Sequence, residues 1–228
     1  MGIRVLGMSI SDNSGHHGPR EPLPDCGLCP RLKAFRQTNR ARHPGWHNAP
    51  VSSFGGLDGE LLVVGLAPGL RGANQTGRPF TGDFAGDLLY ASLGKFGFSE
   101  GQYGAEADDG LALVNCRITN AVRCVPPENK PIGAEVAACR AFLLEEIKAL
   151  SRLRVILALG TLAHGAVLAT LGEKKSAYKF GHNQFHDLAG GLVLADSYHC
   201  SRYNTNTGRL TESMFESVFE GILKRTSR

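Results

Sequence analysis

The chain has 228 residues, 42% of them hydrophobic and 20% charged, with a formal net charge of +4. That length suits one sizeable α/β core, since domains run to about 250 residues, and the charge permits a polyanionic partner without demanding one. No apolar run approaches the roughly 20 residues of a membrane span, and the first ten residues lack the apolar stretch of a signal peptide, so no membrane association is expected and the expected compartment is the cytoplasm.

Met1 to Pro24 is rich in Gly, His, Ser and Pro without periodicity. It reads as a flexible N-terminal arm, with His16 and His17 as solvated tail residues, ahead of a single domain over residues 25–228. Cys26 and Cys29 form a C-x2-C pair flanked by Pro24 and Pro30, and Cys124 and Cys139 form a C-x14-C pair. In a reducing compartment structural disulfides are not expected. Two distant pairs of thiolates suit zinc or an iron–sulfur cluster, and separate buried thiols are the alternative. Of the other two cysteines, Cys116 lies in an apolar segment and Cys200 follows a histidine. Residues 32–42 carry Lys33, Arg36, Arg40 and Arg42, which make either a solvated helix face or a surface turned to phosphates.

Leu61 to Leu66 reads as a first, buried strand. The loop after it holds Gly65, Gly69, Gly72, Gly77 and Gly82, and its spacing fits neither the phosphate-binding P-loop nor the dinucleotide fingerprint. From about Asp83 the apolar positions Ala85, Leu88, Leu89 and Leu93 take helical spacing. Phe80 and Asp83 are then either a core aromatic and a helix N-cap, or a platform for a flat ring beside a charge. A second strand over Leu111 to Ile118 delivers Asn120 at its far end, where it either contacts a ligand or caps a turn. A helix follows from about Gly133 to Leu150. Val155 to Leu159 is a third strand, running into an apolar helix over Leu162 to Leu171 on which His164 reads as packing. Leu192 to Ala195 begins a fourth strand, and Thr211 opens a final helix. The fold class is therefore α/β: a three-layer α/β/α sandwich with a four-stranded parallel central sheet and right-handed crossovers. In such a sheet the carboxyl ends of the strands share one edge, so Asp83, Asn120, His199 and Phe80 can meet in one pocket. Stacking, amide, imidazole and carboxylate together suit a nucleobase.

The strings GLAPG at 65–69, GANQTGRPFTGD at 72–83, ITNAVRCVPP at 118–127 and HCSRYN at 199–204, in this order and with both cysteine pairs, resemble the uracil-DNA glycosylase superfamily. They are most similar to its family 5 iron–sulfur branch, over roughly Cys26 to Leu223. The resemblance implies a [4Fe–4S] cluster on Cys26, Cys29, Cys124 and Cys139. It implies Phe80 as the stacking platform for an extruded base, Asn120 in base contact and catalysis, His199 as a donor to the base carbonyl and Asp83 as the acid serving the water nucleophile. Gly65, Leu66, Ala67, Gly69, Ser201, Arg202 and Asn204 would line the substrate site. Ala67 stands where several branches carry a water-activating Asp or Asn, which moves that role to Asp83. Arg202 or Tyr203 would wedge into the vacated stack. The expected activity is monofunctional base excision, on uracil and other deaminated bases, in double- or single-stranded DNA, by a monomer. The alternatives from the residues are a zinc-stabilised α/β hydrolase of a small molecule and a non-catalytic binder of damaged DNA.

Overall fold

Five-residue apolar runs set the sheet. Strands β1 (Leu61–Gly65) and β5 (Val155–Leu159) have every residue buried, as expected where helices cover both faces of parallel strands and no polar side is needed. The computed structural model describes residues 18–226; His16, His17 and most of the expected arm lie outside them. Residues 18–24 lie against the body: Arg123 donates to Glu21 Oε2 at 3.0 Å and Arg40 Nη2 to the Pro24 carbonyl at 3.0 Å.

Helix α1 (Pro30–Arg42) opens the order, with Pro30 in its first turn, where a missing N–H costs nothing. β1 leads through the short α2 (Ala73–Thr76) into α3 (Phe84–Lys95). A two-stranded antiparallel ribbon of β2 (Ser99–Glu100) and β3 (Ala112–Leu113) precedes β4 (Cys116–Asn120). Then come α4 (Gly133–Ala149), β5, α5 (Thr161–Leu171), β6 (Phe185–Asp187), β7 (Val193–Ser197), α6 (Arg202–Asn206) and α7 (Glu212–Leu223).

The sheet has five strands in the order β4-β1-β5-β7-β6, and β6 runs antiparallel to β7. The expected four-stranded parallel sheet is thus extended by an antiparallel edge. Phe-His-Asp carries no apolar run, because an edge strand half open to solvent needs none. The second strand also starts later than expected. Asn115, at φ 51°, turns the chain, so Ala112 and Leu113 pair with the ribbon and only Cys116 onward joins the sheet. One sheet face packs Leu61, Val63, Ile118 and Leu157 against Leu89, Leu93, Phe215 and Phe219 of α3 and α7. The other packs Leu62, Val64, Ile156 and Leu194 against Leu143, Ala163 and Val167 of α4 and α5. Among the described residues no helix is long and apolar enough to cross a membrane.

Buried charges tie the β4 edge to α4. Glu146, fully buried, accepts from Arg117, from Arg123 at 2.6 Å and from the Ser53 hydroxyl at 2.7 Å. Burial pushes the Glu146 carboxyl up, but the Arg123 and Arg117 charges outweigh it and hold the group below its usual 4.5. Removing one partner of such a pair leaves an uncompensated buried charge. Glu146→Gln should therefore cost about 3–5 kcal/mol, measured by urea unfolding at neutral pH. Because the folded value is depressed, the stabilisation is complete above the unfolded value and is lost as pH falls through the folded one. The gap between variant and parent should accordingly narrow only on the acid side of 4.5.

Candidate active site

The parallel strands β4, β1, β5 and β7 end at one edge, and the loops leaving it enclose a cavity of about 840 Å³. Leu66, Ala67, Gly69, Phe80, Asp83, Asn120, His199, Ser201, Arg202 and Asn204 all line it. Gly65 lies behind them as the last residue of β1, in register with Asn120, which is the last residue of β4 and not beyond its end. A methyl on Gly65 would come 2.6 Å from Phe80 Cζ and closer still to Asn120 Oδ1. Both side chains therefore rest directly on strand backbone.

Phe80 is buried and holds φ at 54°, a left-handed backbone that costs a bulky residue roughly 1–3 kcal/mol. Its surroundings over-determine that conformation. The Tyr103 hydroxyl donates to the Phe80 carbonyl at 3.3 Å, and Gly86 leaves room for the same carbonyl, which any Cβ there would strike. Below, Arg78 binds Asp109 through both Nη atoms at 2.7 and 2.6 Å and stacks over Phe54, Tyr90 and Tyr103. This holds the Asp109 carboxyl far below the carboxylate range.

Asp83 is the N-cap of α3, its Oδ1 accepting from the Gly86 amide at 3.2 Å. It caps the helix and also faces the cavity. Oδ2 is bordered by Gly69 and Gly72, where added Cβ atoms would lie 3.0 Å from Oδ2 and 2.9 Å from Cγ respectively. Burial raises the Asp83 pKa, and the Gly86 and Ala85 amides oppose the rise. His199 is tilted against Phe80, with ring centroids 6.0 Å apart. Burial lowers its pKa, which keeps the imidazole neutral at neutral pH, and Nδ1 is buried with no partner among the described residues. No side-chain hydrogen bond to Asn120 is formed among the described residues, which leaves its amide edge for a ligand.

The HCSRYN segment is braced from within. Asn204 Nδ2 donates to the His199 carbonyl at 2.8 Å, Ser201 caps α6, and the buried Cys200 thiol donates to the Ala85 carbonyl at 3.3 Å. Asn204 and Ser201 thus hold the histidine as well as lining the cavity. Sequence reasoning missed Phe180, Tyr198 and Arg209, which form the far wall with the Arg209 guanidinium 4.7 Å from the Tyr198 ring centroid. Tyr198 follows a strand end and was findable on that ground; Phe180 sits in a polar stretch that carries no signal.

A model of the uracil DNA glycosylase superfamily matches residues 52–222. The chain belongs to the uracil-DNA glycosylase superfamily. A type-5 uracil-DNA glycosylase of Thermus thermophilus is 45% identical over 87% of this chain and 92% of that protein. One from Pyrobaculum aerophilum is 43% identical over 86% and 87%. A type-4 enzyme of Thermotoga maritima is 34% identical over 66% of this chain and 69% of that protein, a lower identity than that of the two type-5 members.

Within this uracil-DNA glycosylase fold, all six cysteines are free. Cys124 and Cys139 are buried with Leu32, Val122 and Phe142, and Cys29, the residue before α1, packs against them. Burial first, then the neighbouring thiols, pushes Cys29 up to about 11; burial, against the pull of Arg36, raises Cys124 to about 12. Among the described residues the donor atoms gathered within 4.8 Å of one another are those of His164, His186 and Asp196, not the four thiols. Cys29, Cys124 and Cys139 nevertheless meet in one group of side chains, a donor set that suits either zinc or an iron–sulfur cluster. The histidine group is satisfied internally. His164 Nδ1 lies 2.8 Å from Asp196 Oδ1 and its Nε2 2.9 Å from the Tyr178 carbonyl oxygen, and His186 Nε2 lies 3.1 Å from Asp196 Oδ2. His164 is thus a polar lock on α5, β6 and β7 and not simple apolar packing.

Of the four basic residues at 32–42, Lys33 and Arg42 are exposed, Arg40 reaches back to Asp25 at 2.5 Å, and Arg36 is buried. The helix is neither a uniform solvated face nor a uniform phosphate-facing one. The contact beneath the cavity floor sets a direct test. Gly65→Ala should cost about 1–3 kcal/mol through overpacking and displace the Phe80 ring, read by urea unfolding and by a crystal structure of the variant.

Proposed function

We propose that this chain is a monofunctional uracil-DNA glycosylase of base excision repair, working as a monomer in the cytoplasm. The observation that carries this is the single cavity lined by Phe80, Asp83, Asn120 and His199 at the sheet edge, in a chain of this family. An enzyme acting on a base within a duplex must extrude it, at a cost of a few kcal/mol. Stacking on Phe80 returns about 1–3 kcal/mol of that. Asn120 reads the base edge. Cleavage of the N-glycosidic bond leaves negative charge on the base and positive charge on the sugar. Neutral His199 donates its N–H to the departing base, and Asp83 Oδ2 faces the sugar and orients water. Exposed Arg71, Arg202 and Arg209 at the rim meet phosphates of either single- or double-stranded DNA. No lysine lines the cavity among the described residues, consistent with hydrolysis without strand cleavage. The volume also leaves room for two-ring deaminated bases such as hypoxanthine and xanthine.

Cys26, Cys29, Cys124 and Cys139 would hold a [4Fe–4S] cluster, which as a structural centre ties α1 and α4 to the segment after β4. The resemblance to the iron–sulfur branch favours this over zinc, and family membership disfavours a small-molecule hydrolase. A non-catalytic binder of damaged DNA would keep the rim arginines but release no base.

Incubation with a uracil-containing oligonucleotide should release free uracil and leave an abasic strand intact; tight binding with no release would instead establish the binder. Asp83→Asn should slow release by about 10²–10⁴-fold while leaving DNA affinity nearly unchanged. The parent rate should fall toward acid as Asp83 takes up its proton, with the limb above the usual 3.8 because burial raises this group. The same limb should flatten in Asp83→Asn.

A further inference from the structure

Arg36 lies on α1 with 3% of its surface exposed. Its Nη2 donates to the Cys26 carbonyl at 2.7 Å and its Nη1 to Cys124 Sγ at 3.4 Å. The third donor of the same planar fork, Nε, is buried with no partner. No carboxylate lies within ion-pair distance of this guanidinium among the described residues. Asp25, whose carboxyl feels the Arg36 charge, is exposed and engaged by Arg40 at 2.5 Å. A buried cation beside neutral thiols is expensive, because a thiol is a weak acceptor and carries no compensating charge. The buried arginines elsewhere in the chain follow the ordinary rule. Arg78 has Asp109, Arg117 has Glu146, and Arg123 has Glu146 and Glu21. Arg36 alone among these four has sulfur and a backbone carbonyl in place of a carboxylate. The anion it lacks is what four thiolates around a metal centre would supply.

We propose that Arg36 is the positioning residue of the four-cysteine centre, its guanidinium providing the counter-charge and an N–H···S hydrogen bond that retain an anionic iron–sulfur cluster on Cys26, Cys29, Cys124 and Cys139. This rests on the cluster reading given above. The bidentate placement has a structural logic. One nitrogen fixes the turn carrying the C-x2-C pair through the Cys26 carbonyl, and the next fixes Cys124 across 88 residues of chain. The two halves of the ligand set are thereby held at one spacing by one rigid, planar group, which lysine cannot imitate. Hydrogen bonds and positive charge at cluster sulfurs also favour the reduced form, so Arg36 sets the potential as well as the retention of iron.

The test uses anaerobically purified holoprotein of the parent, Arg36→Met and Arg36→Lys. The readouts are iron and sulfide content, the rate of iron loss to a chelator followed by visible absorption, and the reduction potential of the cluster. Arg36→Met should lose iron about 10-fold faster than the parent, in the range for removing a hydrogen-bonding neighbour of a metal ligand, and its potential should move to more negative values. Arg36→Lys, which keeps the charge but not the fork, should fall between the two on both measures. An iron-loaded Met variant with the parent's iron lifetime and potential overturns the role of Arg36 and leaves the cluster reading standing. A parent protein without iron or sulfide overturns the cluster reading, and this inference with it. If the Met variant does not fold, the Lys variant decides. Unchanged iron lifetime and potential there would show the fork to be only a strut between Cys26 and α1, and overturn the proposal.

Discussion

The missing side chain of Gly65 is the constraint on which the cavity depends. Parallel pairing sets Gly65 opposite Asn120, and the absence of a Cβ lets the Asn120 amide and the Phe80 ring both close onto the end of β1. Neither could move in by rotamer adjustment alone, because Phe80 arrives on a left-handed backbone that only a crowded setting sustains. The Tyr103 hydroxyl, the bare backbone of Gly86 and the aromatic stack around Arg78 supply that setting. The floor of the pocket is thus shaped before any ligand enters. Such preorganisation would let the proposed extruded base be held without further ordering of the protein.

Asp83 shows how one residue can satisfy the fold and still be free for chemistry. Its Oδ1 caps a 12-residue helix, which fixes the carboxyl plane and leaves Oδ2 aimed between two glycines. The helix amino terminus favours the ionised form, while desolvation opposes it and prevails in the net shift. His199 is shifted in the complementary direction by burial. In the proposed reaction, an ionised carboxylate and a neutral imidazole on opposite sides of the glycosidic bond would answer the two charges that develop there.

Much of this was legible in the sequence wherever burial leaves a periodic trace. The runs at 61–65 and 155–159 and the helices at 161–171 and 212–223 announce themselves by apolar pattern. Phe185–Asp187 leaves none, because an antiparallel edge strand is held by backbone pairing and needs no continuous apolar face. Asn115 redirected the second strand through a single left-handed residue inside an otherwise plausible apolar segment. At the site, the strand-end rule and the glycine loop brought out the residues on the sheet edge. Phe180 and Arg209 escaped because they come from connections whose course is set by tertiary contacts. Arg36 escaped for a different reason. Its neighbours on α1 give it the look of a solvated helix face, and what turns it inward is a group of thiols distant in the sequence.

The cysteine region and the cavity are also joined by covalent and hydrogen-bonded backbone. Asn120 and Cys124 are four residues apart, and between them the Ala121 and Val122 amides donate to the Gly65 and Leu66 carbonyls at 2.9 Å each. Ala67 then lines the cavity while packing on the cluster of side chains around Cys124 and Cys139. Any centre that fixes Cys124 therefore shortens the free backbone between itself and the Asn120 amide to a few residues already pinned to β1. A loose connection there would let the amide drift relative to Phe80, and displacement of about 1 Å is enough to lose much of the benefit of positioning. Bracing by thiolate ligands would be a local way to suppress that drift. It requires no exchange of electrons with the substrate, only a rigid attachment close to the residue that must not move.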